Sequence, residues 1–168
     1  SKLTKITDES TGRVTSFQYD SAGNLTSITH SDGDKATYGY SSKRLNSVSD
    51  PTGYGMNYYY LSDTYRVNKI QERVGGAVAQ GMQMDYSKVN QTTFTTHGMD
   101  GDYNKTGDNQ VITYQFDNFG HPVAVQDQDG NANKYQYDTD DEKDPHKLMK
   151  ASSMQKPVLN LLADYNMD

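Results

Sequence analysis

Phe17-Gln18-Tyr19-Asp20-Ser21-Ala22-Gly23-Asn24-Leu25-Thr26-Ser27-Ile28 carries the pattern that decides the fold. Two rings stand two residues apart, a polar turn follows, and two aliphatic residues stand three apart. Residues i and i+2 share one face of a strand, so Phe17 and Tyr19 point the same way. The doublet recurs as Tyr38/Tyr40, Tyr58/Tyr60, Tyr114/Phe116 and Tyr135/Tyr137, with Met84/Tyr86 as a weaker copy. Successive second members are 21, 20, 26, 30 and 21 residues apart. The aliphatic pair recurs as Leu45/Val48 and Val67/Ile70. Leu3/Ile6 reads as the same element of a unit whose front is cut off. A second turn closes the unit at Asp32-Gly33, Asp50-Pro51-Thr52-Gly53 and Asp129-Gly130.

The unit reads as strand, turn, strand, turn. Asp-Gly between extended runs predicts a type I′ hairpin turn with positive φ. A single hairpin is marginal in water, so consecutive units must pair with one another. Leu25 and Ile28 fall on opposite faces of a regular strand. A β-bulge, or a strand that begins after Leu25, reconciles them. The repeat degenerates over 73–110. Residues 73–83 hold Gly and Ala turn formers that lengthen one unit, and 97–109 read as a polar loop, expected to be mobile. The acidic stretch Asp138–Asp144 reads as a solvated loop.

Composition agrees with strands. Of 168 residues, 33% are hydrophobic and mean hydropathy is −0.94. Leu, Ile, Val and Phe together number 26, too few for a large aliphatic core. Fourteen Tyr and a net charge of only −6 oppose disorder. Nineteen Asp stand against three Glu, which favours turns over helices and excludes a helical bundle. There is no apolar run near the length of a membrane span, no visible signal peptide, and no cysteine for a disulfide or thiolate metal site. The acidic balance argues against a nucleic-acid partner.

Tyr19-Asp20-x-x-Gly23-x-Leu25, followed by Ile28 and Gly33, closely resembles the YD repeat of the RHS/YD-repeat family. Phe116-Asp117-x-x-Gly120, ending at Gly130, is a second good copy. The copies at Tyr40–Leu45 and Tyr60–Val67 lack the Asp, and the copy that begins at Tyr137-Asp138 loses its Gly. Asn160-Leu161-Leu162-Ala163-Asp164 resembles the opening of a β-sandwich found after such repeats in large Gram-positive proteins. The resemblance implies an all-β fold of antiparallel hairpins in a curved, open sheet. That sheet spans 1–156 in about seven units, with 157–168 as a linker or the start of a following domain. It further implies an extracellular, cell-wall or cell-surface protein, and a shell or spacer for a toxin or adhesion domain elsewhere in the parent chain. Other YD repeats of that chain are its implied partners. A cut sheet also predicts self-association through its edge strands.

Catalytic chemistry is not visible. There is no nucleophile elbow, P-loop, dinucleotide fingerprint or zinc-protease motif, so no enzyme, cofactor or metal is expected. His30, His97, His121 and His146 read as surface turn residues. Asp100-Gly101-Asp102-Tyr103-Asn104 begins like a calcium loop but lacks its Gly and its Glu, and reads as a turn. Asp50-Pro51-Thr52-Gly53 matches the start of the family's self-cleaving aspartyl string but not the rest, and also reads as a turn. The tyrosines supply the alternative to a scaffold. Tyr54, Tyr59 and Tyr65, beside Asp and Asn, are candidates to stack on cell-wall or host glycans. Tyr59, on the opposite face from Tyr58 and Tyr60, is the most available of them.

Overall fold

The computed structural model describes residues 1–62, 64–98, 102–104, 107–138 and 147–155. They form strands and turns, with no helix among them. Strand order follows chain order in one open antiparallel sheet, as the repeat predicts. The chain divides into two compact units, Ser1–Met84 with Thr96–Asn109, and Asp85–Thr95 with Gln110–Asp168.

The first unit holds β1 (Lys5–Thr7), β2 (Val14–Tyr19), β3 (Leu25–Thr29), β4 (Lys35–Ser41), β5 (Arg44–Ser49), β6 (Tyr54–Tyr60), β7 (Val67–Val74) and most of β8 (Ala77–Asp85). A bulge settles the spacing problem. Phe17 pairs with Ile28 and Tyr19 with Leu25, with the register shifting between Gln18 and Tyr19. One extra residue on β3 turns both aliphatic side chains to the face of the rings. The arrangement repeats: Tyr38 pairs with Val48 and Tyr40 with Leu45. Likewise Tyr58 pairs with Ile70 and Tyr60 with Val67. Each doublet therefore lies across from the aliphatic pair that follows it, where cross-strand pairs contribute roughly 0.2–1 kcal/mol each.

The second unit holds most of β9 (Gln91–His97), with β10 (Gln110–Phe116), β11 (Pro122–Asp127), β12 (Ala132–Asp138) and β13 (Lys147–Met154). Its bulges fall at the same place. Tyr114 pairs with Val125 and Phe116 with Pro122. Tyr135 pairs with Ala151 and Tyr137 with Leu148. Phe94 on β9 meets Tyr114 edge to face at 5.5 Å, an addition to the repeat's own pairs.

Ala132 is the one buried hydrophobic residue among those described, while Ser27, Gln71 and His121 are buried polar residues. The rings are thus half-buried within a layer. The composition leaves too few aliphatic residues for a closed core, and none forms among the described residues.

Several expectations are corrected. The Asp32-Gly33 and Asp129-Gly130 turns are not type I′. Only the Gly has positive φ in each, whereas type I′ needs two such residues. The loop runs from His30 to Asp34 and from Asp127 to Asn131, closed by paired backbone hydrogen bonds. Two left-handed residues in succession occur instead at Gly75-Gly76 and at Ser42-Lys43, the latter without a glycine. Of the turn formers in 73–83 only Gly75-Gly76 turns the chain; the rest is strand, with β7 running to Val74 and β8 starting at Ala77. Tyr86 lies beyond the end of β8, so Met84/Tyr86 is not a strand doublet. His121 sits in a turn but is buried rather than on the surface. His97 ends β9, and its ring lies 5.4 Å from that of Tyr103. Asp100, His146, most of the acidic stretch, the family-like tail and the boundary at 156/157 lie outside the described residues.

Candidate functional site

Two kinds of site are built, one by the turns and one by a cleft beside the β4–β5 turn. The turns come first. Asp20 accepts the Asn24 backbone N–H at 2.8 Å and its side-chain amide at 2.9 Å. Asp127 holds Asn131 the same way, at 2.8 Å for both bonds. In the equivalent turn Asp117 takes the His121 backbone N–H at 2.9 Å and contacts Nδ1 at 2.7 Å. The His121 ring stacks on Tyr137 at 4.5 Å, which explains its burial. Asp50 accepts the Thr52 hydroxyl at 2.7 Å and the Tyr54 N–H at 3.0 Å.

These bonds favour the carboxylate form. Ser10 and Thr11 hold Asp8 down to about 2. The Asn24 amide lowers Asp20, the Thr52 hydroxyl lowers Asp50, and the Asn131 amide lowers Asp127. Desolvation is the largest influence on Asp117 and pushes it up, but the bonds from His121 and Phe119 together outweigh it. Each of these carboxylates is engaged in closing its own turn. Asp102 likewise accepts the Asn104 N–H at 3.1 Å, the bond of a plain turn. No group of three metal-ligating side chains comes together among the described residues.

The second site is a cleft of about 550 Å³ between the β4–β5 turn and β6. Its wall includes Arg44, Asn46, Asn57, Arg73 and the tyrosines Tyr58, Tyr59 and Tyr60. Strand register explains the grouping. Gly55 pairs with Arg73, Asn57 with Gln71 and Tyr59 with Lys69, so all six side-chain positions share one face. Tyr58 and Tyr60 alternate to the other face of β6, and they too line the cleft. Tyr59 is fixed there: its hydroxyl donates to the buried Gln71 Oε1 at 2.8 Å, and Lys69 Nζ sits 4.0 Å from the ring centre.

The three candidate tyrosines do not form one surface. Tyr59, 40% exposed, lines the cleft. Tyr54 points to the other face of β6 by alternation, and its phenol is raised first by desolvation and then by the Glu72 carboxylate. Tyr65 is the most exposed of the three at 82% and stacks on Arg44, whose guanidinium carbon lies 4.9 Å from the ring centre. Arg44 also lies over Tyr60 at 5.4 Å and donates to Leu61 O at 3.1 Å. Arg44, Asn46, Asn57 and Arg73 are site residues that sequence reading missed. The signal available was the alternation on β6 and β7, which pairs Tyr59 with a polar rather than an aromatic face.

Comparison with known proteins supports the repeat. Residues 2–35 match the RHS Repeat family model, which covers β1, β2, β3 and the start of β4. Residues 2–35 carry RHS-repeat sequence. No curated protein matches the chain. A porin-like protein from Bacteroides uniformis shares 12% identity at a TM-score of 0.40, over 89% of this chain and 86% of that one.

Proposed function

We propose that the chain is a non-catalytic structural segment of a secreted, cell-surface RHS-type protein. It forms part of a shell or spacer for a toxin or adhesion domain elsewhere in the parent chain, and further YD repeats are its neighbours. The observation that carries this reading is the shared register of five hairpins, each bulged opposite the second member of its doublet. Doublet rings packed on the neighbouring strand, and turn carboxylates closing their own loops, leave little chemistry to spare.

A modular scaffold makes a clear prediction. Deleting the 21 residues from Asp20 to Tyr40, one whole unit, should leave a shorter chain with a β-type circular dichroism spectrum and a cooperative melt. A chain that no longer folds would sink the modular reading.

The edge strands support the proposed neighbours. Leu3, just before β1, and Ile6, within it, are 55% and 50% exposed, and every residue of β13 is exposed. Sedimentation should show concentration-dependent association, reduced by Ile6→Lys, because a charge on an open edge opposes strand addition. A chain that stays monomeric throughout would count against it. Glycan recognition is the second reading, favoured by the cleft beside Tyr59 rather than by Tyr54.

A further inference from the structure

We propose that the cleft between the β4–β5 turn and β6 takes a carboxylate-bearing saccharide. The inference rests on the glycan reading and adds the charge of the ligand and the residues that would select it. The chain carries a net charge of −6, yet Arg44 and Arg73 line this cleft and no described carboxylate does. Lys69 sits over Tyr59 on the same face. The nearest strand carboxylate in register, Glu72, falls on the opposite face, beside Tyr54. A pocket of one sign in a chain of the other is a local field that favours an anion.

The remaining lining fits a sugar. Tyr59 offers a ring held in place by Gln71, the pre-set aromatic surface on which a pyranose face can stack. Asn46, Asn57 and Ser47 supply short donors and acceptors of the kind hydroxyls need. Arg44 Nε is buried without a hydrogen-bond partner, a donor that a ligand oxygen would satisfy. Arg73 is braced by Nε and Nη2 on Gly76 O at 3.3 and 3.1 Å, which holds its guanidinium in place. Planar guanidinium groups match carboxylates better than a point charge does.

Titration calorimetry with trigalacturonic acid and with its methyl ester tests this, since the ester keeps the sugar skeleton and removes the charge. The acid is expected to bind at least about tenfold more tightly than the ester, the size of one lost charge-assisted hydrogen bond. Arg73→Gln should erase that difference while leaving the melting curve in place. Asn57→Ala, a milder change in the same wall, should weaken both ligands alike. Equal affinity for acid and ester would overturn the inference and leave glycan recognition standing. No binding of either ligand by the folded chain would overturn both.

Discussion

The turn after Tyr19 and the turn after Tyr40 occupy the same place in the unit and are built differently. Asp20–Asn24 is a five-residue loop with a carboxylate on its own backbone and Gly23 at φ 94°. Ser41–Arg44 is one residue shorter, has neither Asp nor Gly, and holds Ser42 and Lys43 at φ 50° and 64°. Yet both deliver a leucine to the second ring of the preceding doublet, Leu25 to Tyr19 and Leu45 to Tyr40. The Asp and Gly of the motif are therefore turn chemistry. What sets the register is the ring-to-aliphatic pairing with its bulge. The shorter turn also places Arg44 where the longer one has Asn24, and the cleft begins there.

The largest effect should come from breaking the pairing rather than either turn. One Ala inserted after Gln18 sends Phe17 and Tyr19 to opposite faces and should cost on the order of 2–3 kcal/mol, seen in denaturant melts. One Ala inserted between Ser42 and Lys43 lengthens that loop to match the other and should cost well under ~1 kcal/mol. Equal losses would refute the distinction. Next in size, Gly23→Ala forces a side chain into the left-handed region and should destabilise by about 1–2 kcal/mol. Smaller and of opposite sign, the double change Ser42→Asn with Lys43→Gly gives the shorter turn its preferred residues. It should raise stability by about 1 kcal/mol.

The smallest expected difference is in acid. Asp8, Asp20, Asp50, Asp117 and Asp127 all lie below their usual range in the folded chain. A lowered folded value means the stabilisation is present above the unfolded value and is lost as pH falls through the folded one. As the pH falls below 3.8, amide exchange at Asn24 and Asn131, relative to the intrinsic rate, should quicken. The Ser41–Arg44 hairpin, with no carboxylate in its turn, should hold its protection over the same range.

Much of this was legible in residues. The doublets at 17/19, 38/40, 58/60, 114/116 and 135/137 lie on strands, because period two and aromatic propensity agree there. The three-residue aliphatic spacing announced a bulge without saying which strand carried it. Turn type was misread because Asp-Gly fits both a two-residue loop and the end of a longer one, and the hydrogen bonds decide. β8 and β9 were missed since Ala77–Asp85 and Gln91–His97 carry no doublet; their place depends on neighbours. The cleft was illegible for a similar reason. Arg44, Asn57 and Arg73 come from three strands, and register alone brings them together.

The bulge has one more consequence. Between second ring and first aliphatic partner the chain spends six residues at Tyr19–Leu25, five at Tyr40–Leu45 and seven at Tyr60–Val67, and the pairing is unchanged. Each hairpin thus resets its own reading frame. A residue gained or lost in a turn stops at that turn, and the downstream strands keep their inside and outside. A repeat array of this kind can drift in spacing over evolutionary time, and recombine unit for unit, without scrambling the faces it presents.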